Sequence, residues 1–82
     1  MRIVYDDIKR ARNRETHGGL DFADLDAEFF AGSIVVPAKK ERFMAIGPFR
    51  GDMIAVVFAR LGSEGISVVS MRPASAKERK SP

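Results

Sequence analysis

Few side chains in this sequence are equipped to do chemistry. There is no phosphate-binding glycine loop, no metal-ligand pair and no Ser/His/Asp arrangement. A single histidine cannot build a histidine-rich metal site, and without cysteine there is no thiolate site and no disulfide. Four features remain. Glu41-Arg42 opens a strand-like run, and neighbouring strand residues point to opposite faces. The two can therefore meet one ligand only if the strand is bulged or has not yet begun; otherwise they are a solvated strand start. Arg72 ends the last apolar run, in phase with Ile66, Val68 and Ser70. Its planar fork suits a phosphate and equally suits an internal salt bridge. His17 has the pKa range for acid–base work, yet beside Gly18 it also reads as a helix cap. Lys39-Lys40 and the Lys77, Arg79, Lys80 cluster can hold an RNA backbone without reading its sequence, or can be solvated surface.

These residues need a scaffold, and the pattern supplies one. Arg2-Ile3-Val4-Tyr5 reads as a short strand, and Asp6 or Asp7 as the cap of a helix running to about Glu15. Ile8 and Ala11 give that helix an apolar stripe; Lys9, Arg10, Arg12 and Arg14 make it basic. A second, acidic helix is expected from Asp21 to Gly32, with Phe22, Leu25, Phe29 and Phe30 on its buried stripe. Strands follow at Ser33 to Val36, Glu41 to Ile46, Asp52 to Arg60 and Ile66 to Met71. The run from Asp52 to Arg60 is apolar on both faces, which predicts a central strand. Ser75 to Lys80 starts a third helix or stays a basic tail. The expected class is α+β in the order β-α-α-β-β-β-β. Two helices pack on one face of a mostly antiparallel sheet, with a short C-terminal helix as an option.

The 82 residues suffice for one domain, taken as 1–82. A domain this small is marginal alone and gains stability from a bound partner. Residues 1–31 carry a net charge of −2 and residues 32–82 a net charge of +5. The positive field of the second half favours a polyanion. No apolar run approaches the roughly 20 residues of a membrane helix, and the first residues lack the long apolar stretch of a signal peptide. A cytoplasmic protein that does not enter membranes is expected.

The order of these residues resembles the BrnT toxin family. Tyr5-Asp6-Asp7, Lys9, Asn13, His17-Gly18, Asp21-Phe22 and Phe29 are similar to its N-terminal signature. Glu41-Arg42-Phe43 with Gly47 resembles its Glu-Arg-aromatic strand and following glycine. Ser70, Arg72 and Ala74 resemble its Ser-x-Arg-x-Ala ending, and Glu78-Arg79 the start of its C-terminal helix. The resemblance spans about residues 5–79. Thr16 and Ser67 stand where the family usually or often has a basic residue, the 60–65 hairpin is about one residue longer, and the C-terminal helix is cut short at Pro82.

That resemblance implies a RelE-like fold and inhibition of translation by RNA cleavage, possible on the ribosome. It also implies neutralisation by a BrnA ribbon-helix-helix antitoxin, through which alone operator DNA is bound. The implied reaction is attack of an RNA 2′-hydroxyl on the adjacent phosphorus, which requires no metal and no cofactor. It needs a base, an acid and cations for the growing phosphate charge. Arg42 and Arg72 are the expected cations, Glu41 the expected base and His17 the alternative. The rival is a module that binds an antitoxin, RNA or the ribosome without cutting.

Overall fold

Asp6 separates the first strand, β1 (Arg2–Tyr5), from the first helix, α1 (Asp7–Thr16), in the computed structural model, which describes residues 1–80. Its carboxylate accepts the Lys9 N–H at 3.0 Å, satisfying a donor that the helix leaves open. The chain continues through one turn of 3-10 helix (Phe22–Asp24), α2 (Ala27–Ala31), β2 (Ile34–Pro37), β3 (Phe43–Phe49), β4 (Asp52–Leu61), β5 (Gly65–Pro73) and α3 (Ala76–Arg79). The strands form one mixed sheet in the order β1-β5-β4-β3-β2. β1 runs parallel to β5, and the remaining neighbours are antiparallel. The α+β class and the mostly antiparallel sheet agree with expectation, and β4 is central, as its two apolar faces require. Among the described residues no helix is long and apolar enough to cross a membrane. The expected stop of the C-terminal helix at Pro82 lies outside the described residues.

The second helix departs from the sequence reading. Two aspartates cap in succession: Asp21 accepts from Ala23 N at 3.0 Å, and Asp26 accepts from Phe29 N at 2.9 Å. Each side chain offers the backbone an alternative to a continuing helix, so the segment breaks at Leu25, which is extended. The break lets Phe22, Leu25, Phe29 and Phe30 all enter one core with Ile54, Val56, Phe58, Ile66, Val68 and Met71. Edge-to-face ring contacts join Tyr5 to Phe22, Phe29 to Phe30 and Phe30 to Phe58.

Helix α1 also corrects the reading. Ile8 of the expected apolar stripe is 67% exposed, and Ala11 is exposed as well. The helix docks through polar groups, because β1 pairs with β5 only as far as Tyr5↔Val68 and leaves the rest of that edge to α1. Asn13, the buried residue of α1, accepts the Met71 N–H at 2.9 Å and donates to the Leu20 carbonyl at 3.1 Å. Arg10 adds two hydrogen bonds to Asp21, at 2.7 and 3.0 Å. Only the segment after Asp21 buries an apolar stripe on the sheet.

A bulge in β5 sets which face each side chain occupies. Val57 pairs with Ser70, but Phe58 pairs with Val68, leaving Val69 unmatched. Ile66, Val68 and Met71 therefore all reach the core, and Arg72 falls on the opposite face. The expected phase of Arg72 with Ile66 and Val68 is lost across that extra residue. Gly47 permits another close approach: a Cβ there would collide with Ser33, which leads into β2.

Stability should follow these contacts. Phe29→Ala should cost about 3–5 kcal/mol, and Asn13→Ala about 1–3 kcal/mol by stranding the Met71 N–H. Ile8→Ser should stay within about 0.5 kcal/mol of the parent. Urea unfolding of the three variants checks the order.

Candidate functional site

The face of the sheet opposite the core is only partly covered. Ala74, which follows β5, packs there against Ile46 and Ala55. Beyond that cluster lie half-exposed Met44, Val57, Ala59, Ser67, Ser70 and Arg72, which the register places on one face. This surface combines small and polar groups with a cation, whereas the core face is filled by rings.

Arg72 is already engaged. Its Nη1 donates to Glu78 Oε1 at 2.7 Å and its Nη2 to Glu78 Oε2 at 2.8 Å. Nη1 also reaches the Pro73 carbonyl at 3.3 Å, and Nη2 lies 3.7 Å from Met44 Sδ. Of the guanidinium's donor nitrogens only Nε lacks a partner among the described residues. The salt-bridge alternative read from the sequence is thus the arrangement present. Glu78 is held in turn by a capping box: Ser75 N donates to Oε1 at 2.7 Å, and Glu78 N donates to Ser75 Oγ at 3.2 Å. The hydrogen bonds from Arg72 hold the Glu78 carboxyl down at about 2, against an ordinary 4.5, and Arg72 is raised by the same pairing.

Glu41 and Arg42 lie before β3 begins, in the turn that joins it to β2. Lys40 and Glu41 both take left-handed backbone angles, φ 60° and 59°, uncommon for residues with a Cβ. Ala38 N donates to the Arg42 carbonyl at 2.8 Å and closes the turn. The condition under which both residues could serve one ligand is therefore met, because the strand has not started. Lys39 and Lys40 are exposed on the same turn. Arg42 precedes Met44 by two residues, about 7 Å of extended chain, and Met44 touches Arg72. Arg72 therefore borders the stretch of sheet that follows Arg42 in the chain.

His17 lies where α1 ends. It is the C-cap of α1, its N–H donating to the Asn13 carbonyl at 2.9 Å. It borders a cavity of about 550 Å³ whose other walls include Asp24, Arg50, Asp52 and Pro73. Among the described residues no hydrogen bond joins it to Arg42 or Arg72. Arg79 is drawn away from ligand duty: its Nη2 meets Asp52 Oδ1 at 3.2 Å and its Nε donates to the Ala74 carbonyl at 3.1 Å. Lys77 and Lys80 are exposed at α3. No cluster of three His, Cys, Asp or Glu side chains occurs among the described residues. The sequence reading missed the role of Glu78. The Ser75-x-x-Glu78 spacing of a capping box was the available signal.

A family model described as the ribonuclease toxin BrnT of type II toxin–antitoxin systems matches residues 5–78. The chain belongs to the BrnT toxin family. The crystal structure of the Brucella abortus ribonuclease toxin BrnT is similar, with a TM-score of 0.85 and 54% identity, covering 92% of this chain and 97% of that one. Comparison with curated protein sequences found no match. The BrnT match takes in His17, Glu41, Arg42, Arg72 and Glu78 and ends before Arg79 and Lys80. Membership in a type II toxin–antitoxin family implies an antitoxin partner and an RNA substrate.

In this BrnT-family protein the Arg72–Glu78 pair should show itself by titration. A carboxyl lowered in the folded state stabilises the fold above its ordinary value and ceases to do so as pH falls through the folded one. The contribution of Glu78 should therefore disappear between about 4.5 and about 2. Carbon-detected NMR should place the Glu78 carboxyl near the lower value, and Arg72→Gln should return it toward the upper one. A Glu78 titration unchanged by Arg72→Gln would show that the pair does not persist in solution.

Proposed function

We propose that this chain is a RelE-like, metal-independent endoribonuclease that inhibits translation in the cytoplasm and is neutralised by a BrnA-type ribbon-helix-helix antitoxin. The observation that carries the reading is the match of residues 5–78 to a family of ribonuclease toxins. The half-exposed sheet face that carries Arg72 supports it. There an RNA backbone can lie against Ser67, Ser70 and Met44 with the Arg72 guanidinium beside it.

In the proposed reaction a base takes the proton of a 2′-hydroxyl, and the oxygen attacks the adjacent phosphorus. The bond from phosphorus to the 5′-oxygen breaks, and the leaving oxygen takes a proton from water. The products are a 2′,3′-cyclic phosphate and a 5′-hydroxyl. Arg42 and Arg72 stabilise charge on the phosphate, Arg72 by exchanging the Glu78 carboxylate for phosphate oxygens of similar geometry. Glu41, beside Arg42, is the base. His17 is the alternative. Lys39, Lys40, Lys77 and Lys80 add backbone contacts. The antitoxin gives the complex its access to operator DNA.

The engaged fork of Arg72 favours one second reading, a degenerate toxin that binds RNA, ribosome or antitoxin without cutting. Labelled RNA with purified protein separates the two. Arg42→Ala and Arg72→Ala should each lower the cleavage rate by about 10²–10³ with the fold intact. Lysine at either position should rescue only partly, because it keeps the charge but loses the fork. Cleavage should continue in EDTA and leave a cyclic phosphate. Full activity in both alanine variants would remove Arg42 and Arg72 from the site. Absence of cleavage by folded wild-type protein, with or without ribosomes, would favour the binding module. Co-expression with a ribbon-helix-helix protein encoded beside the toxin should restore growth and yield a stable complex. Separate elution of the two proteins at micromolar concentration would reject that partner.

A further inference from the structure

The basic residues of α1 fall into two groups with different fates. Arg10 and Arg14 turn to Asp21, at 2.7 and 3.8 Å, and act as fasteners of the fold. Lys9 and Arg12 have no ion-pair partner among the described residues. With Asn13, Thr16, His17 and Val69 they line a groove of about 230 Å³. Val69 is the unmatched residue of the β5 bulge, so the groove forms where the bulge meets α1. It adjoins the half-exposed face, since Val69 precedes Ser70, the partner of Val57.

The chemistry of the groove is one-sided. No carboxylate lines it; Glu15 lines a separate hollow with Ala11, Arg14 and Gly19, and Asp6 is occupied with the Lys9 N–H. Two of the polar groups of its floor are spent within the protein. Asn13 bridges Met71 and Leu20, and Thr16 Oγ1 donates to the Arg12 carbonyl at 2.8 Å. Two cations with no carboxylate beside them suit phosphate oxygens, and contacts to phosphate carry no sequence information. Lys9 and Arg12 stand about 4.5 Å apart along the helix axis, close enough to share one phosphate or hold two in succession.

We infer that the Lys9–Arg12 groove between α1 and the β5 bulge is a second, sequence-independent binding site for the RNA backbone, which extends the substrate path beyond Arg42 and Arg72. The inference rests on the proposal that the protein acts on RNA. The groove supplies affinity and register, and the sheet face supplies the chemistry.

The test uses full-length protein and a fluorescein-labelled, 2′-O-methylated single-stranded RNA, which binds but cannot be cut by its own hydroxyl. Lys9→Gln with Arg12→Gln should weaken binding by about tenfold per residue. The slope of log affinity against log salt should shrink by about 1.4, because each lost contact to single-stranded RNA removes about 0.7. Thermal stability should be unchanged. With cleavable RNA, KM should rise while kcat at saturation holds. Arg12→Lys should keep the salt slope, and Arg60→Gln, whose guanidinium stacks on Phe43 on the core side, should change neither. Wild-type-like affinity and slope in the double variant would reject the groove and leave the ribonuclease reading standing. Weaker binding with an unaltered slope would also reject it, as phosphate would not be the group held. Failure of the wild-type protein to bind this RNA would overturn the groove and undermine the reading on which it rests.

Discussion

One unmatched residue, Val69, determines what each face of this molecule can do. A regular β5 would alternate strictly, and Ile66, Val68, Ser70 and Arg72 would share a face. That face is the core, where Arg72 would need a buried partner and Met71 would be left outside. The bulge admits Met71 to the core and turns Ser70 and Arg72 toward the other side. Its cost is a disturbed ladder between β4 and β5. On the other edge of β5, beyond the end of β1, Asn13 accepts the Met71 N–H, and the same side chain ties down the segment after α1 through Leu20. The strand whose bulge exposes Arg72 is thus also the strand that anchors α1.

Asp21 has a comparable double role. It starts the 3-10 turn that places Phe22 in the core, and it receives Arg10 and Arg14 from α1. The hydrogen bonds from Arg10 hold its carboxyl at about 2 rather than 3.8, so it stays charged through the range in which proteins function. Because Asp21 takes the cations on one side of α1, those on the other side remain available. A basic helix with an acidic residue beyond its end thus becomes a helix with a structural side and an electrostatic side.

The parts of the fold governed by local rules were legible in the sequence. Val4-Tyr5 followed by Asp6 and Asp7 announced a strand and a capped helix, and the two-sided apolar run from Asp52 to Arg60 announced the centre of the sheet. Contacts between distant residues were not legible. Ile8 looked like core because periodicity cannot show that α1 sits on a strand edge, and for the same reason nothing in the pattern marked Asn13 as buried. The split at Leu25 depends on two aspartates competing with the helix, and the phase of Arg72 on a bulge that Val68-Val69 hardly signals. At the candidate site the residue types could be read, but Glu41 and Arg42 were expected in a strand that begins only at Phe43, and the pairing of Arg72 with Glu78 required the chain to fold back after Pro73.

That pairing does not disqualify Arg72 as a phosphate ligand. A lone guanidinium on a half-exposed face would sample many rotamers, and ordering it would weaken binding of any anion. Glu78 holds the fork flat against Met44, in the planar two-point geometry that a phosphate also presents. The carboxylate is itself carried on α3, four residues with no buried side chain, whose contacts include its capping box, an exposed Arg79–Asp52 pair and the Arg79 bond to the Ala74 carbonyl. Exposed pairs of that kind contribute about 0–1 kcal/mol. Short, peripheral elements occupy the low end of local stability, so an anion arriving at Arg72 competes with a weakly anchored group. Arg72 is aligned by its internal partner, and the proposed exchange for phosphate would draw on the peripheral place of α3.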